Sequence, residues 1–142
     1  MIDHSTAGKN KEDLIHSVLT KYGFQVFREV KVSNGKFDQK YHERNIDMKY
    51  VYGKMERYLE SDGKVHSNLE TPTQPTLKRN SDFEKADIPY TIINHESIKD
   101  LRKIMGLRNV SVDELTEFLV VYTAWLEYSK HLAKIEAGKF FI

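Results

Sequence analysis

Two short alternating runs, Ile46–Tyr52 and Met55–Ser61, are separated only by Gly53-Lys54, and this spacing constrains the chain more than any other feature. A two-residue gap between strand-like runs calls for a tight hairpin, and glycine supplies the positive φ such a turn needs. Side chains along each run then alternate between faces with a period of two. Asp47 stands on the first run, while Glu60 and Asp62 close the second, followed by Gly63 and His66. Four groups able to ligate a metal or move a proton therefore gather at neighbouring strand ends. Phosphodiester hydrolysis needs such a set: carboxylates for a hard divalent cation and a titratable group beside them. In a chain that is 30% charged, acids near a turn are ordinarily solvated surface. Glu60, however, follows Tyr58-Leu59 in a strand expected to be partly buried, where a carboxylate is costly unless paired or metal-bound.

The flanking sequence places this hairpin in an α/β frame. Residues 1–10 read as a loose polar leader, and a helix is expected from Lys11, with Leu14, Ile15, Val18 and Leu19 on one face and Gly23 as its C-cap. Glu12 falls in its first turn, where it either complements the helix dipole or faces the acidic cluster. Phe24–Val32 alternates as a strand with Phe24, Val26, Arg28, Val30 and Val32 on one face, and its Glu29-Val30-Lys31 tripeptide reads as solvated. The loop from Ser33 to Arg44 interleaves Lys36, Lys40 and Arg44 with Phe37, Tyr41 and His42, a mixture suited to nucleic acid but equally to a polar loop. After a proline-containing loop over Ser67–Pro75, Thr76–Ala86 reads as a helix carrying Lys78, Arg79 and Lys85, and Ile88–Asn94 as a further strand. The order implies a mixed sheet flanked by helices.

From Ser97 the pattern turns helical. A short helix should end at Gly106. Ser111-Val112-Asp113-Glu114 is a capping box that opens a long helix from Val112 to about Ala137, stopped by Gly138. Its apolar stripe is read as Leu115, Phe118, Leu119, Tyr122, Trp125, Leu126 and Leu132, packing on the domain or on a second subunit. Residues 1–96 are thus expected to form a core and 97–142 a helical extension.

Composition bounds the partners. A formal net charge of +1 means that any nucleic-acid surface must be a local patch. With no cysteine there are no disulfides or thiolate metal sites, which fits a cytoplasmic location. No apolar run is long enough for a membrane span or a signal peptide. All-oxygen ligation by Asp47 and Glu60 favours Mg²⁺ or Mn²⁺.

This order of elements resembles the very-short-patch-repair-like (Vsr-like) branch of the PD-(D/E)xK endonuclease superfamily, over about residues 10–95. The resemblance rests on Glu12 at a helix start, the REVKV strand, Asp47 in a strand, the run GKMERYLESDGKVH, a helix bearing Lys and Arg, and the Ile88-Pro89-Tyr90 strand. It implies a restriction-endonuclease-like core. It makes Asp47 the principal metal ligand and Glu60 the second, and has His66 transferring protons or binding phosphate and Glu12 completing the site. Asp62 stands where most of the superfamily carries lysine, as in the Vsr-like variant. Arg79 would face the phosphate backbone, joined by Lys36, Lys40, Arg44, Lys64 and Lys78. Asn80 departs from the acid that relatives often carry after the arginine. The implied activity is metal-dependent DNA endonuclease chemistry of a phage- or mobile-element-borne kind, with a homodimer through the C-terminal helix as a further expectation. Two alternatives stand beside it: a catalytically silent nucleic-acid-binding protein on the same scaffold, and an assembly protein acting through its C-terminal helix.

Overall fold

The structure, a computed structural model, describes the backbone of residues 4–63, 67–68, 71–72 and 74–139 and the side chains of 11–63 and 74–138. Helix α1 (His4–Lys21) leads into strand β1 (Gln25–Ser33), a short 3-10 turn (Lys40–His42), β2 (Glu43–Tyr52) and β3 (Met55–Asp62). Two-residue strands β4 (Ser67–Asn68) and β5 (Thr71–Pro72) precede α2 (Gln74–Lys85), β6 (Tyr90–Asn94), α3 (His95–Ile104) and α4 (Val112–Lys139). The main sheet has the order β1-β2-β3-β6. Its first two pairings are antiparallel, and β3 with β6 is parallel. Only this last pair needs a crossover, and α2 supplies it.

Local sequence explains most boundaries. At the end of α1, Phe24 N–H donates to Leu19 O and Gly23 N–H to Thr20 O, with Gly23 at φ 93°. This is a Schellman cap, and its two hydrophobic partners, Leu19 and Phe24, are both buried. Gly53 takes φ 58° in the two-residue turn that sets Tyr52 opposite Met55. β6 begins one residue after Pro89, which has no N–H to give the ladder, although its carbonyl still accepts from Tyr58 N–H at 2.8 Å. Asn94 caps α3 by accepting from Ser97 N–H at 3.0 Å, and Ser111 Oγ accepts from Glu114 N–H at 3.0 Å, as the capping box requires.

The sheet is covered on both faces. Tyr58 and Leu59 are adjacent on β3 and pack into different clusters, as the pleat dictates. One cluster joins Ile15, Val18 and Leu19 of α1 to Met48, Tyr50, Leu59 and Ile93 of the sheet, Ile98 of α3, and Leu115, Val120 and Ala124 of α4. The other sets Phe83 of α2 against Phe37 and Ile46. Residues read as an extension thus share the principal core.

The long helix corrects the expected stripe. Leu115 is buried, and Leu119 and Trp125 pack on the core, but Phe118, Tyr122, Leu126 and Leu132 are exposed, and Val120 and Ala124 are buried instead. The reason is aromatic registration. Trp125 lies 4.8 Å from Phe24 and 5.0 Å from Tyr52, and Tyr128 lies 4.7 Å from Tyr52, ring centroid to centroid. These rings turn the helix so that a second apolar row faces outward. Gly138 does not stop the helix, which runs to Lys139.

Candidate active site

The β2–β3 ladder runs from Tyr52 opposite Met55 to Met48 opposite Leu59. One step further a side chain takes over the pairing: Ser61 N–H donates to Asp47 Oδ2 at 2.7 Å. Glu60, 5% exposed, shares a hydrogen bond with the Asp47 carboxyl, and its Oε1 has no partner. Burial pushes the Glu60 carboxyl up to about 9; the neighbouring Asp47 charge and hydrogen bond add to this, Asp62 adds further, and Arg79 opposes it. The Glu60 carboxyl therefore keeps its proton near neutral pH unless a cation reaches it.

Arg79 of α2 closes the back of the site. Its Nη1 and Nη2 donate to Asp62 Oδ1 and Oδ2 at 2.8 and 2.7 Å, and Nη1 lies 3.8 Å from Glu60 Oε2. Asn80 Oδ1 accepts from the same guanidinium at 3.0 and 3.2 Å. A neutral amide stands here, where an acid would add another negative charge to the cluster. Arg79 is therefore a buried fork between carboxylates rather than a surface phosphate contact, which corrects that expectation. Asp62, at the position where a lysine was noted as missing, is anchored by that fork.

Glu12 arrives from α1. Burial raises its carboxyl, the Asp47 charge raises it further, and Arg28, at 3.3 Å, opposes them. Arg28 also bonds Asp13. Glu29, exposed as expected, lies between the pairs Arg28–Met48 and Val30–Ile46, directly across from Asp47. It adopts φ 52°, a left-handed backbone that a non-glycine residue reaches at a cost of about 1–3 kcal/mol. Its charge also reaches Glu12.

The structure thus brings Glu12, Asp47, Glu60 and Asp62 together. His66 and Lys64 lie outside the described residues. Lys36, Lys40 and Lys78 are exposed, and Lys40 sits 5.1 Å over the Tyr41 ring. Two members of the basic and aromatic loop are not free for nucleic acid. Phe37 is buried, and Arg44 Nε donates to the buried Asp82 Oδ2 at 2.7 Å. That pairing turns Arg44 inward and corrects its expected role.

Sequence reading missed His95 and Ser61. His95 Nε2 and Ser61 Oγ are 2.7 Å apart, and His95 Nδ1 is buried without a partner. Burial, then Lys11, pushes the imidazole down to about 4 against the pull of Asp62 and Asp113, so it is neutral near pH 7. The parallel pairing of Asp62 with Asn94 brings His95 here, and no local motif announces it.

Among the described residues, no group of three or more His, Asp or Glu side chains is arranged to hold a metal. The Asp47–Glu60 pair still fits Mg²⁺ or Mn²⁺, since Mg²⁺ usually takes one or two carboxylates and completes its shell with water and substrate phosphate. The unpartnered Glu60 oxygen, on a carboxyl that burial and the neighbouring acid push up, is a donor such a cation would relieve. Among the described residues, no helix is long and apolar enough to cross a membrane. No protein-family model, curated protein or solved structure matches this chain.

Proposed function

We propose that this protein is a metal-dependent DNA endonuclease in which Asp47 and Glu60 hold Mg²⁺ or Mn²⁺. The observation that carries this reading is the buried Glu60, with its unpartnered Oε1, beside the half-buried Asp47, at the point where a side chain replaces the β2–β3 ladder. A cation bound there would lower the pKa of attached water and offset charge on the scissile phosphate. Ser61 N–H holds Asp47 in place. Arg79 and Asp62 fix each other behind Glu60 and keep the strand end rigid. Glu12, with its raised carboxyl, is the group placed to exchange a proton beside Asp47. Lys36, Lys40 and Lys78 are the exposed cations available to a phosphate backbone. Cutting both strands of a duplex would take two such centres, in two copies of the chain, or two successive nicks.

A second reading has its own support. Asp62 occupies the lysine position and is tied to Arg79, so no described cation stands free there to orient an attacking water. That favours a DNA-binding scaffold with little or no cleavage. The deciding experiment incubates supercoiled plasmid and branched DNA with Mg²⁺, Mn²⁺ or EDTA, beside Asp47→Ala and Glu60→Ala. Cation-dependent cutting lost in both variants supports the nuclease. Binding without cutting under every condition supports the silent scaffold.

A further inference from the structure

The outward face of α4 carries a row at four-residue steps: Glu114, Phe118, Tyr122, Leu126 and Lys130. All five are exposed, with Phe118 at 62%, Tyr122 at 56% and Leu126 at 40%. Three large apolar side chains in succession on one ridge form a contiguous patch, and such patches mark interaction surfaces. The Phe118 and Tyr122 rings already stack, 6.0 Å apart and 13° from parallel. Beside the ridge runs a groove of about 440 Å³, floored by Val121 and Trp125 and walled by Tyr22.

The row is self-complementary about its centre. Phe118 and Leu126 lie equally far from Tyr122, and so do the acid Glu114 and the base Lys130. We infer that the occupant of this face is a second copy of the chain, bound antiparallel about a two-fold axis at Tyr122. In that pairing Phe118 meets Leu126 of the other copy, and Glu114 meets Lys130, twice over. A two-fold interface must be self-complementary in this way, with each residue serving both halves of the contact. Rows at four-residue steps run along one another when helices cross at about −50°, which keeps the end charges opposite each other. The ridge is about 24 Å long from Glu114 to Lys130, with the apolar residues at the crossing point. Among the described residues the Glu114 carboxylate makes no ion pair. Lys130 reaches only Glu127, at 3.3 Å on the same helix. This inference does not depend on nuclease activity, and it places the ion pairs at the ends of the contact and the apolar residues at its middle.

The test is the mass of the full chain by sedimentation equilibrium across a concentration series, at low and moderate salt. The expected result is a concentration-dependent species of twice 16.6 kDa. Tyr122→Glu places like charges against each other at the axis and should weaken association by about tenfold or more. Glu114→Lys alone and Lys130→Glu alone should each weaken it, and the double exchange should restore it. Circular dichroism on each variant keeps loss of fold apart from loss of contact. A monomer at every concentration would overturn the inference, and so would a dimer indifferent to Tyr122→Glu or a double exchange no better than its parents.

Discussion

Asp82 on α2 and Glu60 on β3 of the sheet are both buried carboxylates, and their surroundings differ in one respect. Asp82 accepts from Asp38 N–H at 2.9 Å and from Arg44 Nε at 2.7 Å. Burial alone would raise its carboxyl, but those two donors outweigh it and hold it below the ordinary value. Glu60 has an oxygen with no partner and an acid for a neighbour, and its carboxyl rises to about 9. The first arrangement ties a loop to a helix. The second stores unmet demand for positive charge, which is the property a metal or substrate site requires. Burial of a charged group is therefore uninformative until its partners are counted.

The comparison can be broken most forcefully at the arginines. Arg79→Met leaves Asp62 and Glu60 buried without their cation, and unfolding in urea should show a loss of about 3–5 kcal/mol. Substituting Asp82 acts on the satisfied partner. Asp82→Ala should cost about 1.5–3 kcal/mol by the same measurement and leave any DNA cleavage by the folded fraction unchanged.

Glu60→Gln should behave in the opposite sense. In the metal-free protein it removes a carboxyl that burial already disfavours, so stability at pH 8 is expected to stay level or rise. Proton linkage gives the sign. The folded carboxyl at about 9 lies above its value of 4.5 outside the fold, so the folded state binds the extra proton between them. The stability that this group contributes is complete below about 4.5 and is lost as pH rises through about 9. Glu60→Gln should flatten that slope, and urea midpoints at pH 5, 7 and 9 would show it. Asp82 runs the other way, its contribution being present above 3.8 and lost as pH falls through its lower folded value.

The smallest expected effect sharpens the contrast with metal. Mn²⁺ should raise the thermal midpoint more at pH 8 than at pH 5, because binding must displace the proton that the raised Glu60 carboxyl holds. Each kcal/mol of binding is worth about 3 °C in a domain of this size. Glu60→Gln should abolish the shift and Asp82→Ala should leave it intact. A shift that persists in Glu60→Gln would move the metal away from this pair.

Much of the frame was legible because its signals are local. Gly53-Lys54 set the hairpin and its register, Ser111 to Glu114 announced the start of α4, and Gly23 ended α1. The acidic cluster was legible in part, since Asp47 and Glu60 become neighbours once the hairpin is drawn. The fate of the cations was not. Arg79 and Arg44 look alike as exposed bases on a helix and in a loop, and each is claimed by a carboxylate 17 or 38 residues away. Among 22 basic and 21 acidic side chains, sequence alone offers no means of choosing those pairs. His95 was invisible for the same reason, because it reaches Ser61 only through the parallel pairing of β3 with β6.

The amino-acid order by itself determined the strands of the main sheet, the Gly53 turn, the caps at Gly23 and Ser111, and the meeting of Asp47 with Glu60, because period and turn geometry act over a few residues. Only the tertiary structure decided which charges are satisfied and which face of α4 is left open. Apolar residues lie on more than one side of that helix, and the rings of Phe24 and Tyr52, not its own pattern, select the buried one. Pairing and burial are settled by distance in space, and distance in space depends on how all the elements pack at once.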